Sequence, residues 1–267
     1  MYRQYAFATP ALRDLVRSAW SVSYADSSES MPGIIAPDAH VEFLFQTGAP
    51  CATWAEGAAS AEPSPRAMIF GLRHGALRLV PTGENAIVGI RVTPAVASVI
   101  LGRPLIDCWD RPVPLSTFIG SEADELLEQI AETLLPLVAP LLESWLLGRL
   151  RKWDGDDQHN LGLQNVLIWE IAGEPVSTLA DQLGFSVRSL RRYCEKYAGL
   201  SPKQLVMSGR MLRACASLVD RRDLAISDVA NSLGFGDQSA FTNAFRRYVG
   251  MTPARLRAEP IVHCERR

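Results

Sequence analysis

TLADQLGF (residues 178–185) and DVANSLGF (228–235) lie 50 residues apart in one chain. Each reads as a short helix that stops at Leu-Gly-Phe. The likeness continues downstream, where LGFSVRSLRRYCEKYAGLSP (183–202) runs beside LGFGDQSAFTNAFRRYVGMTP (233–253), the second copy longer by one residue after Leu-Gly-Phe. Both copies predict helix, glycine turn, second helix, glycine stop and a Ser/Thr-Pro restart. Gly184 and Gly234 fall where a helix ends in a positive φ, which a residue without Cβ adopts at no steric cost. A short helix, such a turn and an amphipathic second helix form a helix-turn-helix.

The second helices divide into two faces. Leu190, Tyr193, Cys194 and Tyr197 recur at i, i+3, i+4, i+7 and predict the buried stripe of the first copy. Phe241, Ala244, Phe245 and Tyr248 do the same in the second. Arg188, Arg191 and Arg192 then face outward, as do Gln238, Ser239, Thr242 and Asn243. Arginine pairs with guanine edges, and Gln or Asn with adenine edges, in the DNA major groove. These side chains sit in the N-terminal half of each helix, the part that meets bases in helix-turn-helix proteins. Exposed arginines on one helix are ordinarily just a solvated face, and the tandem arrangement is what favours base reading. Between the copies, SPKQLVMSGRMLRACASLVD (201–220) begins with a capping Ser201 and Pro202 in the first turn. It predicts a connecting helix of about 18 residues, about 27 Å long. Adjacent major grooves on one face of DNA lie about 34 Å apart, so a rigid spacer of this length lets two short readers cover a longer site. Lys203, Arg210, Arg213, Arg246 and Arg247 are the candidate phosphate contacts.

The whole chain has 267 residues, 48% apolar and 21% charged, the composition of a globular protein with one large or two ordinary domains. Its net charge of −2 conceals an asymmetry. Residues 160–267 carry 15 basic and 10 acidic side chains, a net of +5, and the preceding residues a net of −7. The two parts are therefore expected to do different work. Five cysteines, none in a CxxC pair, argue against a disulfide framework or a zinc knuckle and for reduced thiols. No secretory leader is read at the N-terminus. The greasiest stretch, LLPLVAPLLESWLLG (134–148), is shorter than the ~20 residues of a membrane span and holds two prolines and Glu143, so it is expected to be buried helix.

The first 92 residues read as strands, at AWSVSY (19–24), HVEFLFQ (40–46), ALRLV (76–80) and AIVGIRV (86–92), with a Pro/Ala/Ser-rich loop at 48–66. That pattern predicts a β-sandwich or small barrel. Helical period follows, with Thr93 and Pro94 opening one helix and Ser121 another. The expected division is a β-rich domain with C-terminal helices over 1–152, a polar linker at 153–160, an all-α domain over 161–259 and a tail at 260–267, an α+β chain overall. No Gly-rich phosphate loop or nucleophile elbow is present, and no catalytic residue or cofactor is assigned. His40, Glu42 and His74 raise the idea of a metal, but no further ligand stands at a recognisable spacing. A small-molecule pocket drawn from Trp20, His40, Phe43, Phe45, Trp54 and Arg91 is the better expectation. Phe43 and Phe45 point opposite to Glu42 along the strand, so they cannot all line one cavity.

Residues 163–257 resemble the DNA-binding domain of AraC/XylS-type bacterial transcription regulators. The matching stretches are SLRRYCEKYAGLSPKQLVMSGRMLRA and, more specifically, GFGDQSAFTNAFRRYVGMTPARLR. The resemblance implies two helix-turn-helix units on a long helix, binding promoter DNA in the bacterial cytoplasm beside RNA polymerase, with a homodimer as a further expectation. The chain departs from the family pattern at Cys194, where the family places Phe, and at Asn243, where some members carry a basic residue. The stretches IIAPDAHVEFLFQTG, MIFGLRHGALRLV and VGIRVTPAVASVILGRPLIDCWDRPVPL resemble more loosely the sensor domain that precedes this module in some members. That likeness implies a cupin-like barrel followed by helices, and a small-molecule effector. Two other classes stay open: a cupin-type metal enzyme with a DNA-binding appendage, and a protein-interaction module.

Overall fold

The structure is a computed structural model, and it describes residues 2–24, 33–35, 40–55, 62–71, 77–103, 105, 108, 111–151, 175–198 and 201–258. The first unit begins with β1 (Tyr2–Tyr5), α1 (Pro10–Leu15) and β2 (Val16–Tyr24). Strands β3 (Gly33–Ile35), β4 (Val41–Gly48), β5 (Cys51–Ala55), β6 (Glu62–Pro63), β7 (Ala67–Phe70), β8 (Leu77–Pro81) and β9 (Asn85–Val92) follow. After α2 (Pro94–Leu101) come β10 (Val113–Pro114), α3 (Ser116–Ile119), α4 (Glu122–Glu132) and α5 (Val138–Arg151).

Antiparallel pairing sorts the strands into a six-stranded sheet, ordered β1-β2-β9-β4-β7-β10, and a four-stranded sheet, ordered β3-β8-β5-β6. The central strands of the larger sheet, β4, β7 and β9, are buried on both faces. Val41, Phe43 and Phe45 of β4 join Val88, Ile90 and Val92 of β9 under α2, α4 and α5. Leu44, Met68, Phe70 and Ile87 point the other way and meet Leu77 and Leu79 of the smaller sheet. Burial on both sides explains why β4 carries Phe43, Leu44 and Phe45 in succession rather than in alternation with polar residues. The helical layer is tied by polar contacts: Glu122 of α4 accepts hydrogen bonds from Trp145 Nε1 (3.0 Å) and Arg149 Nη1 (3.2 Å), and Arg149 Nε donates to the Ile100 carbonyl (2.8 Å).

Three expectations are corrected. The described strands form two open sheets rather than a closed barrel, with β1 and β10 as edges of one and β3 and β6 of the other. The stretch 48–66 is not simply loop, since it contains β5 and β6, which pair at Ala52–Pro63 and Thr53–Glu62. What holds this crossing is Gln46, whose carbonyl Oε1 accepts from Cys51 N (2.8 Å) and whose amide donates to Ser64 Oγ (3.1 Å) and the Pro65 carbonyl (2.9 Å). Ala, Ser and Pro in the sequence gave no strand signal; a fully buried amide from the neighbouring strand supplies it. Finally, the apolar stretch 134–148 becomes helix only from Val138. Pro136 sits in a 3₁₀ turn, Leu135–Leu137, that leaves Leu134 and Leu137 73% and 56% exposed.

Two expected helix starts are present. Thr93 Oγ1 accepts from Val96 N (3.4 Å) with Pro94 at the first helical position. Ser121 precedes α4, but its side chain makes no cap; Glu122, Asp124 and Glu125 in the first turn complement the helix dipole instead. The proposed linker 153–160 and tail 260–267 lie outside the described residues. Among the described residues no helix is long and apolar enough to cross a membrane. Among the described residues, Cys51, Cys108, Cys194 and Cys215 are buried and stand in no disulfide.

The second unit is helical throughout: α6 (Val176–Gln182), α7 (Val187–Ala198), α8 (Pro202–Asp220), α9 (Ile226–Ser232), α10 (Gln238–Val249) and α11 (Pro253–Ala258). One core gathers Leu179, Ala180, Leu190, Cys194, Leu205 and Val206; another gathers Leu218, Val229, Phe241, Phe245, Val249 and Leu256 with their neighbours. Helix α8 contributes to both and so joins them. The two units of the chain also touch. Helix α2 packs against α7, and the half-buried Tyr193 lies against both the first unit's core and the α6–α8 core.

Candidate nucleic-acid interface

The repeat in the sequence is a repeat in hydrogen bonding. At the end of α6, Gly184 has φ 68°, its N–H reaches the Asp181 carbonyl, and Phe185 N–H reaches back to Ala180 (2.8 Å). At the end of α9, Gly234 has φ 76°, its N–H reaches Asn231, and Phe235 N–H reaches Ala230 (3.1 Å). This six-to-one closure around a left-handed residue re-aims the chain into the second helix. The second helices are capped alike. Ser186 Oγ accepts from Ser189 N (3.1 Å), and Asp237 Oδ1 accepts from Ala240 N (2.7 Å). Gly236 is the extra residue of the second copy.

Burial then fixes which face is free. Leu190 and Cys194 of α7, and Phe241, Phe245 and Val249 of α10, are buried, with Tyr193, Ala244 and Tyr248 at the margin. Arg188, Arg191 and Arg192 are exposed on α7, and Gln238, Ser239 and Asn243 on α10, with Thr242 half-buried among them. Gln238, Ser239, Thr242 and Asn243 line one solvent-open polar concavity. The structure therefore brings the four expected base readers of the second helix together. On α7, the sequence reading missed Glu195, whose Oε1 takes Arg191 Nε at 2.7 Å. Solvent screens an exposed i,i+4 pair of this kind, so it holds the guanidinium only weakly. The i,i+4 spacing was the available signal.

Helix α8 spans 19 residues, about 28 Å at helical rise. A capping box fixes its start: Ser201 Oγ accepts from Gln204 N (3.3 Å), and Gln204 Oε1 accepts from Ser201 N (3.0 Å). Of the expected phosphate contacts, Lys203 and Arg213 on α8 and Arg246 and Arg247 on α10 are exposed; Arg210 is half-buried. Cys194 and Phe245 occupy the same register in the two copies. Burial pushes the Cys194 thiol up to about 12, with Glu195 adding to the effect, so it stays protonated as a small apolar group.

The residues expected around an effector do not converge. Phe43 and Phe45 face the helices and stand edge-on to Trp145, with ring centroids 5.8 and 6.2 Å away. Trp20 lies on the opposite face, over Gly89, between the two sheets. Arg91 shares that face and pairs with Glu42, Nη2–Oε1 2.9 Å and Nε–Oε1 3.0 Å. His40 is buried just before β4. The Trp54 side chain and His74 lie outside the described residues. Glu42, considered above as a metal ligand, is thus the partner of an arginine, and among the described residues no three His, Cys, Asp or Glu side chains cluster as a metal site would require.

Comparison with known proteins places the two halves separately. Residues 179–259 match a family model described as a helix-turn-helix domain, and residues 6–114 match one described as a domain of unknown function, DUF6597. "Probable transcription factor PqrA" of Proteus vulgaris is 33% identical over 95 residues, 34% of this chain and 77% of that protein. The Msm operon regulatory protein of Streptococcus mutans is 30% identical over 128 residues, 47% of this chain and 46% of that protein. The chain thus spans about half the length of the latter relative. The crystal structure of ToxT from Vibrio cholerae aligns over 90% of this chain and 97% of its own, with 9% identity and a TM-score of 0.45. The curated relatives carry the names of transcription factors and operon regulators. With the duplicated helix-turn-helix in place and the relative from Proteus covered over most of its length, the chain belongs to the AraC family of helix-turn-helix transcriptional regulators.

Proposed function

We propose that the chain binds promoter DNA in a sequence-specific manner through α7 and α10 set into adjacent major grooves, and that a small molecule acting on the β-rich first unit controls this binding. The observation that carries the reading is the pair of exposed polar faces, Arg188, Arg191 and Arg192 on one helix and Gln238, Ser239, Thr242 and Asn243 on the other, joined by one capped helix. Lys203, Arg213, Arg246 and Arg247, with Arg210 beside them, supply the charge that meets phosphates and makes affinity salt-dependent. The first unit is read as a cupin-like sensor in which two sheets replace a closed barrel. Trp20 and Arg91 share the face of the larger sheet that meets the smaller one, where a ligand would alter packing, and His40 is buried just before β4. The α2–α7 contact and Tyr193 connect that unit to the first reader.

Arg192→Ala tests the assignment. It is expected to weaken binding to the cognate site by about 1–3 kcal/mol and to relax preference at one base pair. Titration against the cognate site and its single-base variants measures both. An equal loss on every sequence would make Arg192 a phosphate contact, and no loss would remove it from the interface.

A further inference from the structure

The two helix-turn-helix units can be aligned residue by residue once Gly236 is set aside. The caps Ser186 and Asp237 coincide, as do the buried Leu190 and Phe241, and the buried Cys194 and Phe245. In the second unit the concavity is lined by Gln238, Ser239, Thr242 and Asn243. The same register carries those four positions onto Val187, Arg188, Arg191 and Arg192. Three are arginines already placed at the interface. The fourth is a valine, 52% exposed, at the first position of α7.

Packing within the unit does not account for it. Leu190, three residues on, is fully buried, while Val187 stands beside Arg188 and Arg191 on the open side. Its Cα–Cβ bond tilts toward the helix N-terminus, the end that approaches base edges in helix-turn-helix complexes. An isopropyl group offers nothing to a phosphate or to a hydrogen-bonding base edge. The one apolar feature in the major groove is the C5-methyl group of thymine. We infer that Val187 is a specificity-determining residue that reads a thymine methyl in the half-element bound by the first helix-turn-helix, next to the bases met by the α7 arginines. This rests on the DNA-reading assignment above.

The test uses the full chain and a DNA element it selects from a random pool. Each thymine is replaced in turn by deoxyuridine, which removes only the methyl group. One replacement, in the half-element of the first helix-turn-helix, is expected to weaken wild-type binding about three- to tenfold, the scale of one methyl group returned to water. Val187→Ser should bind the thymine and deoxyuridine forms of that element equally, and the deoxyuridine form about as well as the wild type does. The inference is overturned if no single thymine is sensitive, if that half-element contains no thymine, or if the sensitivity persists in Val187→Ser. Failure of the full chain to enrich any element would instead overturn the DNA-reading assignment, and this inference with it.

Discussion

Phe245→Ala is expected to destabilise the second helix-turn-helix by about 3–5 kcal/mol, a large part of the stability of a small domain. The ring is fully buried, 5.5 Å centroid to centroid from Phe241, in a core that also takes Leu218 of α8, Val229 of α9 and Leu256 of α11. Four helices lose contacts at once, and the chain around the site has little freedom to collapse onto the cavity. Urea denaturation would read the loss, and DNA binding should fall with it because α10 is no longer held. The first helix-turn-helix provides an internal comparison. Cys194 fills the same register with far less volume, so Cys194→Ala should cost well below Phe245→Ala. Equal losses would contradict the packing described for the two cores.

The second large effect lies in the sensor. Arg91→Ala is expected to cost about 3–5 kcal/mol, because it leaves the Glu42 carboxylate 3% exposed and without its guanidinium. The pair crosses between neighbouring strands, with Glu42 directly opposite Arg91, and Ser18 of β2 opposite Arg91 on its other side. A carboxylate so placed cannot be rehydrated without opening the sandwich. Replacing both residues together, as Glu42→Leu with Arg91→Met, should recover much of the loss, because apolar groups of like volume can substitute for a buried ion pair. Thermal or urea denaturation of the two variants decides the matter. A loss below about 1 kcal/mol for Arg91→Ala would mean that solvent reaches Glu42.

What the sequence displays, and what it hides, follows from where each feature takes its cause. The glycine turns at 184 and 234, the caps at Thr93 and Ser201 and the stripe through Leu190 and Cys194 depend on residues within a few positions of one another, and all were legible. The strands around 16–24 and 41–48 were legible too, from β-rich composition. Strand β5 was hidden, because the group that holds it is the amide of Gln46 and its inward contacts come from another sheet. Periodicity correctly put Phe43 opposite Glu42, yet it could not say that a helical layer would cover the phenylalanine side while an arginine neutralised the other. The effector residues chosen for aromatic and polar character were therefore dispersed over two faces of one sheet. On α7 and α10, polar character marked the side chains that stand on the open face, Arg188, Arg191, Arg192 and the α10 quartet. It passed over Val187, whose exposure only the folded helix reveals, and it gave no hint that Tyr193 would bridge to the first unit.

The central claim is that two helices on one rigid spacer read DNA together. The most direct test is selection of bound elements from a random DNA pool with the full chain, followed by titration of the enriched element across salt concentrations. The account predicts two half-elements centred about one helical turn apart. With Lys203, Arg213, Arg246 and Arg247 at phosphates, log affinity should fall against log salt with a slope of about −4. A single undivided element, or affinity indifferent to salt, would contradict it.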